Sequence, residues 1–273
     1  MKRELMERHL RTAARLRGPV TRVVQRCGEL ASRRQARVRP ADIRRKAVGD
    51  FVTAVDLQCE RRLRSDLRAL LPEAGFLGEE SPPTGLDNDL LWVVDPIDGT
   101  SNFARKLPQY AVSAALLLRG QPLLGVVFCQ PEGATYAALH RGGVLRGRAR
   151  LKPPRARFDD SAIVGCQWFR GEADMAFLQA LQARGARIRT FGSTVVQLCD
   201  AAMGRLDANV QQQGRVWDFA AAGLIAQEAG LRFTDWSGRA VFPIKSLEVE
   251  HTATAAARPA VHRKVLQALR PFA

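Results

Sequence analysis

Apolar positions recur with a helical period at both ends of the chain and as short continuous runs between them. From residue 2 to about residue 34 they return every three or four positions, which predicts one or two helices that break or kink at Gly18-Pro19. Residues 51–71 carry a second helical pattern, followed by Pro72. The basic stretch 33–46 between the two patterns contains a proline and predicts a loop. We therefore expect the chain to begin with helices that cover a sheet.

Short apolar runs bounded by turn residues predict strands in the middle of the chain. The runs at 91–94, 110–118, 124–129 and 135–139 are of this kind, and the last three form an antiparallel meander. Beyond a basic, proline-containing segment at 146–158, strands alternate with helices, the last of which spans 259–269. We therefore place a subdomain boundary near residue 150, between residues 1–150 and residues 151–273.

The composition is that of a globular protein, with 46% hydrophobic and 25% charged residues among 273. No apolar run approaches the roughly 20 residues of a membrane span, and charged residues interrupt the N-terminal pattern that a signal peptide would need. The five cysteines and four histidines are scattered, without Cys-x-x-Cys or His-Glu-x-x-His spacing. This argues against a disulfide framework and against a zinc site. We expect a cytoplasmic protein that does not bind membranes.

The net charge of +15 is the one unusual bulk property. Such a charge indicates binding of nucleic acid, attraction of an anionic substrate, or a general preference for arginine. The arginines are spread along the chain, and no aromatic-rich RNA-binding motif accompanies them. The sequence therefore favours a general arginine preference, and RNA binding stays a weaker alternative.

Acidic residues follow the predicted strand at 91–94. Asp95 ends the run, Asp98 comes three residues later, and Gly99-Thr100 can start a helix whose first amides point outward. Pro96 lacks a backbone donor and should end the strand pairing there. Two carboxylates, a hydroxyl and free backbone amides at one strand end suit hard divalent cations held against a phosphate.

Other polar residues at element ends have a structural explanation as well as a functional one. Thr53 and Asp56 fit a capping box at a helix start. Glu79 lies beside Glu80, and adjacent glutamates are usually surface residues. Asp218 opens an alanine-rich helix, where the helix dipole favours an acid. The segment Gly192-Ser193-Thr194 can be a helix cap or an anion site.

The segment Asp-Pro-Ile-Asp-Gly-Thr-Ser-Asn-Phe at 95–103 resembles the signature of the inositol monophosphatase family of Mg²⁺-dependent phosphatases. Residues 50–56, the Gly-Glu-Glu-Ser at 78–81 and the Trp-Asp at 217–218 resemble further family segments, in the family's order. The resemblance covers about residues 50–230. It implies a layered α-β-α-β-α sandwich of α/β class, with an N-terminal α+β half, a C-terminal α/β half and metals at their junction. It also implies a homodimer.

The resemblance assigns a role to each candidate residue. It implies two or three Mg²⁺ ions, a small phosphorylated substrate and sensitivity to Li⁺. Asp56 and Thr100 would orient or deprotonate the attacking water. The implied metal ligands are Glu79, Asp95, the Ile97 carbonyl, Asp98 and Asp218. The implied substrate-binding residues are Asp98, Gly99, Thr100, Gly192, Ser193, Thr194 and Gln211.

Gln211 departs from the inositol-selective members, which carry a glutamate seven residues before the Trp-Asp acid. An amide accepts sugar hydroxyl hydrogen bonds less strongly than a carboxylate. The expected activity is hydrolysis of inositol monophosphate or a related sugar or polyol phosphate. Histidinol phosphate, fructose 1,6-bisphosphate and 3′-phosphoadenosine 5′-phosphate are alternative substrates. A further alternative is a phosphatase-like protein that binds RNA or a transcription component.

Overall fold

The computed structural model describes residues 2–47, 50–151, 161–167, 175–247 and 252–273. It begins with a long helix, α1 (Lys2–Gln35), which packs beside α2 (Ala54–Leu70). Of the two alternatives predicted for this stretch, one helix is confirmed, since α1 continues through Gly18-Pro19 without a break. Ala13 and Val20, on either side of the proline, are both fully buried, so packing holds the helix together there.

The predicted loop at 33–46 is wrong in its second half. Residues Ile43–Ala47 form strand β1, which pairs antiparallel with β2 (Asp50–Thr53) directly before α2. The register shifts between Arg45 and Ala47, which indicates a bulge in this short hairpin. The hairpin delivers the chain to the start of α2, where Asp56 lies.

A seven-stranded sheet follows, and its strands neighbour one another in sequence order. The first pair is parallel and the others are antiparallel, which confirms the predicted meander. The predicted end of pairing at Pro96 is wrong, because Asp98 pairs again with Ala111 after an irregularity that begins at Asp95. The strands are β3 (Gly75–Gly78), β4 (Leu90–Asp98), β5 (Ala111–Leu118), β6 (Gln121–Cys129), β7 (Ala134–Leu139), β8 (Gly143–Arg146) and β9 (Ala149–Arg150).

The later residues form a five-stranded sheet with the order β11-β10-β12-β14-β13. Strands β10, β11 and β12 are parallel, and β14 runs antiparallel to both of its neighbours. The strands are β10 (Ile163–Gln167), β11 (Arg187–Arg189), β12 (Ala208–Gly214), β13 (Arg232–Asp235) and β14 (Thr252–Ala257). The remaining helices are α3 (Thr100–Ala104), α4 (Ala176–Gln182), α5 (Thr194–Met203), α6 (Val216–Glu228) and α7 (Pro259–Leu269).

Three buried apolar clusters stack these elements into layers. In β5, Val112 and Leu116 face α1 and α2, whereas Ala115 and Leu117 face α5 and α6. The third cluster joins the outer face of the five-stranded sheet, for example Val210, to α4 and α7. The order of layers is therefore helix, sheet, helix, sheet, helix, and the predicted sandwich is confirmed.

The boundary placed near residue 150 stays a prediction, because residues 152–158 of the segment 146–158 lie outside the described residues. The apolar run 161–168 predicts a strand, and β10 (Ile163–Gln167) confirms it; Trp168 lies outside the described residues. Within the described ranges, no helix is both long enough and apolar enough to cross a membrane.

Candidate active site

Two carboxylates of the signature segment meet a third carboxylate that lies about 120 residues later in the chain. Asp95 and Asp98 lie at the end of β4, and Asp218 lies in the first turn of α6. One ligand oxygen from each lies within 4.8 Å of the others. Asp95 is only 1% exposed and Asp98 only 9%. The structure thus brings three predicted ligands into one nearly buried acidic group.

Burial raises the pKa of all three carboxyls, because a desolvated anion is unfavourable. The pKa of Asp98 rises to about 6, held back by hydrogen bonds from Ser193 and from backbone amides. The pKa of Asp218 rises to about 7, with the charge of Asp98 adding to burial. The pKa of Asp95 lies well above its ordinary value through burial and then through the charge of Glu79. A cation placed among these groups would relieve the repulsion.

Asp98 is held by the start of α5. Its Oδ2 accepts hydrogen bonds from the Ser193 hydroxyl and from the Val195 amide, the latter at 2.8 Å. The Ser193 hydroxyl oxygen also accepts from the Val196 amide at 3.2 Å, as a helix cap does. Both explanations offered for Ser193 from the sequence are therefore compatible with its contacts. Its neighbour Thr194 donates a backbone hydrogen bond to Asp98 as well.

Asp56 lies fully buried at the start of α2 and contacts the signature segment. Its Oδ2 accepts from the Thr53 amide at 3.0 Å and from the Thr53 hydroxyl, so the predicted capping box is confirmed. Its Oδ1 lies 3.1 Å from the Thr100 hydroxyl, which is also 3.0 Å from the Ile97 carbonyl. Thr100 has one proton and donates it to one of these oxygens at a time. The Asp56 carboxylate therefore caps α2 through Oδ2 and contacts Thr100 through Oδ1.

Glu79 follows β3 and lies near Asp95, since its charge is the largest of those that raise the Asp95 pKa. It is not one of the three carboxylates within 4.8 Å of one another. Its loop is held by Glu60, which is 2% exposed and which the sequence analysis missed. Glu60 accepts from the Glu80 amide at 2.8 Å and from the Ser81 hydroxyl. The available signal was its place one turn after Asp56 on the buried face of α2.

Asn102, a second residue that the sequence analysis missed, joins α3 to the loop before α5. Its Nδ2 donates to the Gln109 carbonyl at 2.7 Å and to the Phe191 carbonyl at 2.6 Å. Gly192, with φ of +71°, passes directly over this amide, and a Cβ there would lie 2.9 Å from Nδ2. Gly99, with φ of +92°, is equally confined, because its Cβ would lie 2.7 Å from the Gln109 carbonyl oxygen. The two predicted substrate-side glycines therefore lie close together.

Gln211, in β12, is fully buried beside the acidic group. Its Nε2 donates to the Gln213 carbonyl at 3.1 Å and lies 3.5 Å from Asp218 Oδ2. The pairing of β12 with β14 is irregular between Gln211 and Gly214, which leaves room for the amide against the glycine. The position that departs from inositol-selective relatives thus adjoins one of the predicted metal ligands.

Known proteins resemble this chain over most of its length. It is 32% identical over 225 residues to an inositol-1-monophosphatase of Rhizobium meliloti, which covers 80% of this chain and 85% of that protein. It is 30% identical over 223 residues to the Nus factor SuhB of Escherichia coli K12, with 80% and 84% covered. The structure matches suhB from Bartonella henselae with a TM-score of 0.81 and 27% identity, over 91% of this chain and 96% of that one. Because the family model matches residues 16–271, the chain belongs to the inositol monophosphatase family.

Proposed function

We propose that the protein hydrolyses a small phosphate monoester with the help of Mg²⁺. The observation that carries this proposal is the acidic group of Asp95, Asp98 and Asp218, together with the Asp56–Thr100 contact. A buried group of like charges is unfavourable for folding alone and is typical of a site that binds cations or a substrate. The family assignment supports a phosphatase, and the chemistry of these residues supports this kind of hydrolysis.

The donors at the site fit Mg²⁺. All are oxygens, and hard cations of this size prefer carboxylates, carbonyls and water. Asp95, Asp98 and Asp218 would hold the ions, with Glu79 and the Ile97 carbonyl as further donors. We expect two or three ions. When bound, they neutralise the phosphate and lower the pKa of a coordinated water.

The Asp56–Thr100 contact would position the attacking water. When Thr100 donates its proton to Asp56 Oδ1, its hydroxyl lone pairs are free to accept a hydrogen bond from that water. Burial raises the pKa of Asp56, against the effect of its hydrogen bonds, so this carboxylate is a better proton acceptor than an exposed one. The amides of Gly99 and Thr100 would donate to phosphate oxygens.

Polar side chains on three neighbouring strands would bind the rest of the substrate. Gln167 in β10 pairs in register with Gln211 in β12, which pairs with Thr254 in β14. The residues adjacent to them, for example Val210 and Ala255, face α4 and α7, so these three side chains face α5 and α6. Within the described part of the chain, one buried side-chain oxygen of each has no hydrogen-bond partner.

Buried polar atoms normally have partners, so these three oxygens mark positions for ligand hydroxyls or water. Each can accept a hydrogen bond, and none carries a charge. This supports an uncharged polyol or sugar as the alcohol part of the substrate, such as inositol monophosphate. It gives less support to histidinol phosphate, whose amine is cationic. Fructose 1,6-bisphosphate and 3′-phosphoadenosine 5′-phosphate stay as alternatives, because they also present hydroxyls.

Phosphate release from these four compounds, with Mg²⁺ and with a chelator, tests the proposal. We expect chelator-sensitive turnover, inhibition by millimolar Li⁺, and loss of turnover in Asp95→Asn with the fold intact. Gln211→Leu and Thr254→Val should raise the KM for a polyol phosphate about tenfold, since each leaves a hydroxyl unpaired at a cost of ~1–3 kcal/mol. No turnover of any compound, or turnover that resists chelation, would contradict the proposal. Light scattering would test the expected homodimer.

A transcription-associated role is a second candidate function. Relatives named Nus factor SuhB favour it. Such a role would not need hydrolysis, so it should persist in Asp95→Asn. Loss of RNA association in that well-folded variant would argue against a separate role.

A further inference from the structure

Six arginines form a stripe along the outer side of α1. At 3.6 residues per turn they fall within an arc of about 60°, and all six are exposed. Over ~1.5 Å per residue the stripe is about 37 Å long. Glu4 and Glu29 share the arc. The α1 arginine stripe consists of Arg8, Arg11, Arg15, Arg22, Arg26 and Arg33.

The opposite side of α1 is packed into the protein. Ala13, Val20, Val24 and Ala31 are completely buried against α2 and the seven-stranded sheet. The helix therefore cannot turn its apolar side outward, and the stripe is fixed at the surface. A helix that inserts into a membrane interface needs a free apolar face, so this arrangement argues against a lipid partner.

Little acidic charge neutralises the stripe. Among the described residues, Arg11, Arg22 and Arg33 make no ion pair within 4 Å, whereas Arg26 lies 3.6 Å from Asp66 of α2. Asp66 is shared with Arg62, at 3.7 Å. Exposed pairs of this kind contribute little stability. The outer helical layer therefore presents uncompensated positive charge to a partner.

The guanidinium groups of the stripe favour a phosphate backbone as the binding partner. Guanidinium groups bind phosphate oxygens in pairs, and a fixed row of them matches a regular polyanion. At ~3.4 Å of axial rise per base pair, about 37 Å corresponds to roughly 11 base pairs, or about one turn of a duplex. The helix contains no Phe, Tyr or Trp that could stack on unpaired bases, and His9 lies outside the arc of the stripe. We propose that the α1 arginine stripe binds the backbone of double-helical nucleic acid without reading its sequence. This binding is separate from hydrolysis, because no stripe residue belongs to the acidic site.

Two variants with equal loss of charge test the proposal. The stripe variant carries Arg→Gln at Arg11, Arg15, Arg22 and Arg33, and leaves the paired Arg26 in place. The control variant carries Arg→Gln at four exposed arginines of the C-terminal half. These are Arg187, Arg232, Arg263 and Arg270. Melting curves and phosphate release show that each variant is folded.

Fluorescence anisotropy with a 20-base-pair DNA duplex gives the affinity of each protein between 50 and 200 mM KCl. The wild type should bind with Kd of ~10⁻⁴–10⁻⁶ M and a steep salt dependence. The stripe variant should lose at least tenfold in affinity, and the magnitude of its slope of log K against log salt should fall by about 3.6, since it removes four phosphate contacts that contribute ~0.9 each. The control variant should change by less than threefold.

Three outcomes would overturn the proposal. Equal losses in the two variants would mean that binding follows net charge and not the stripe. Tighter binding of an unpaired strand of the same length would mean that bases, not a duplex backbone, are recognised. Binding of phosphatidylserine vesicles in the absence of duplex binding would assign the stripe to a membrane surface.

Discussion

The metal-free protein should lose stability as the pH rises from 5 to 8. A carboxyl whose pKa is raised by folding binds its proton more tightly in the folded state. Its stabilising contribution is complete below the unfolded pKa, near 3.8, and disappears as the pH rises through the folded value. The folded pKa values of Asp98 and Asp218 are about 6 and about 7. The loss therefore begins near pH 4 and is complete near pH 8, and most of it falls in the experimentally convenient range from pH 5 to pH 8.

The size of the effect follows from the same values. One pKa unit corresponds to about 1.4 kcal/mol. Between pH 5 and pH 8, Asp218 should cost the metal-free fold about 3 kcal/mol and Asp98 about 1 kcal/mol, as orders of magnitude. The buried His262 opposes this trend, because burial lowers its pKa and favours the neutral form as the pH rises. A variant that removes only one carboxyl separates the two effects.

Urea unfolding of the wild type and Asp218→Asn, in chelator at pH 5 and pH 8, measures the difference. In the wild type the Arg215 amide donates a hydrogen bond of 2.9 Å to Asp218, and the asparagine side-chain oxygen can still accept it. The decline in the free energy of unfolding should be about 3 kcal/mol smaller in Asp218→Asn, with the histidine contribution cancelling. Mg²⁺ at 100 times its Kd should restore about 2.7 kcal/mol to the wild type, more fully at pH 8, where protons do not compete. Equal pH dependence in the two proteins would refute this account of the acidic group.

Two further substitutions probe the loops around the acids. Gly192→Ala should lower the free energy of unfolding by ~1–3 kcal/mol, because φ is +71° and the new Cβ would lie 2.9 Å from the Asn102 amide nitrogen. Gly133→Ala is the control, because φ is +57° and no atom lies within 4 Å of the new Cβ. Thermal melts should show a smaller loss of stability for the control. Glu60→Gln should raise the Mg²⁺ concentration for half-maximal activity ~10-fold or more. Glu60 accepts the hydrogen bond of the Glu80 amide and so holds the loop that carries the predicted ligand Glu79, and the substitution weakens this acceptor. An unchanged metal titration in a folded Glu60→Gln protein would contradict that role.

Elements whose pattern is local were predictable from the sequence. The terminal helix at 259–269 agrees with α7, and the Thr53–Asp56 capping box is present. The errors lie where packing or pairing overrides a local signal. Pro19 does not end α1, because apolar residues on both sides of it are buried on one face. Strand β1 exists because it pairs with β2, although its sequence is basic and lacks the alternation of a half-buried strand.

The acids of the candidate site were predictable mainly through the family resemblance, because their positions at element ends also have a structural explanation for Asp56, Glu79 and Asp218. The residues that hold them were not, because their partners are distant. Glu60 bonds an amide 20 positions away, and Asn102 bonds a carbonyl 89 positions away. Neither distance leaves a periodic signal in the chain. A polar residue on an otherwise buried helix face was the one clue to Glu60.

The hydrogen bonds of Asp98 explain why its pKa differs from that of Asp218, although both carboxyls belong to the same acidic group. Its Oδ2 is bonded to the Ser193 hydroxyl and the Val195 amide, at the N-terminus of α5, where the helix dipole favours an anion. Asp218 has fewer donors, namely the Arg215 amide and a long contact from Gln211. The pKa of Asp98 therefore lies at about 6 and that of Asp218 at about 7. Without metal, Asp218 therefore keeps its proton to a higher pH than Asp98 does. A cation that binds both carboxylates therefore competes with a proton on Asp218 up to a higher pH than on Asp98, because the start of α5 stabilises the Asp98 anion.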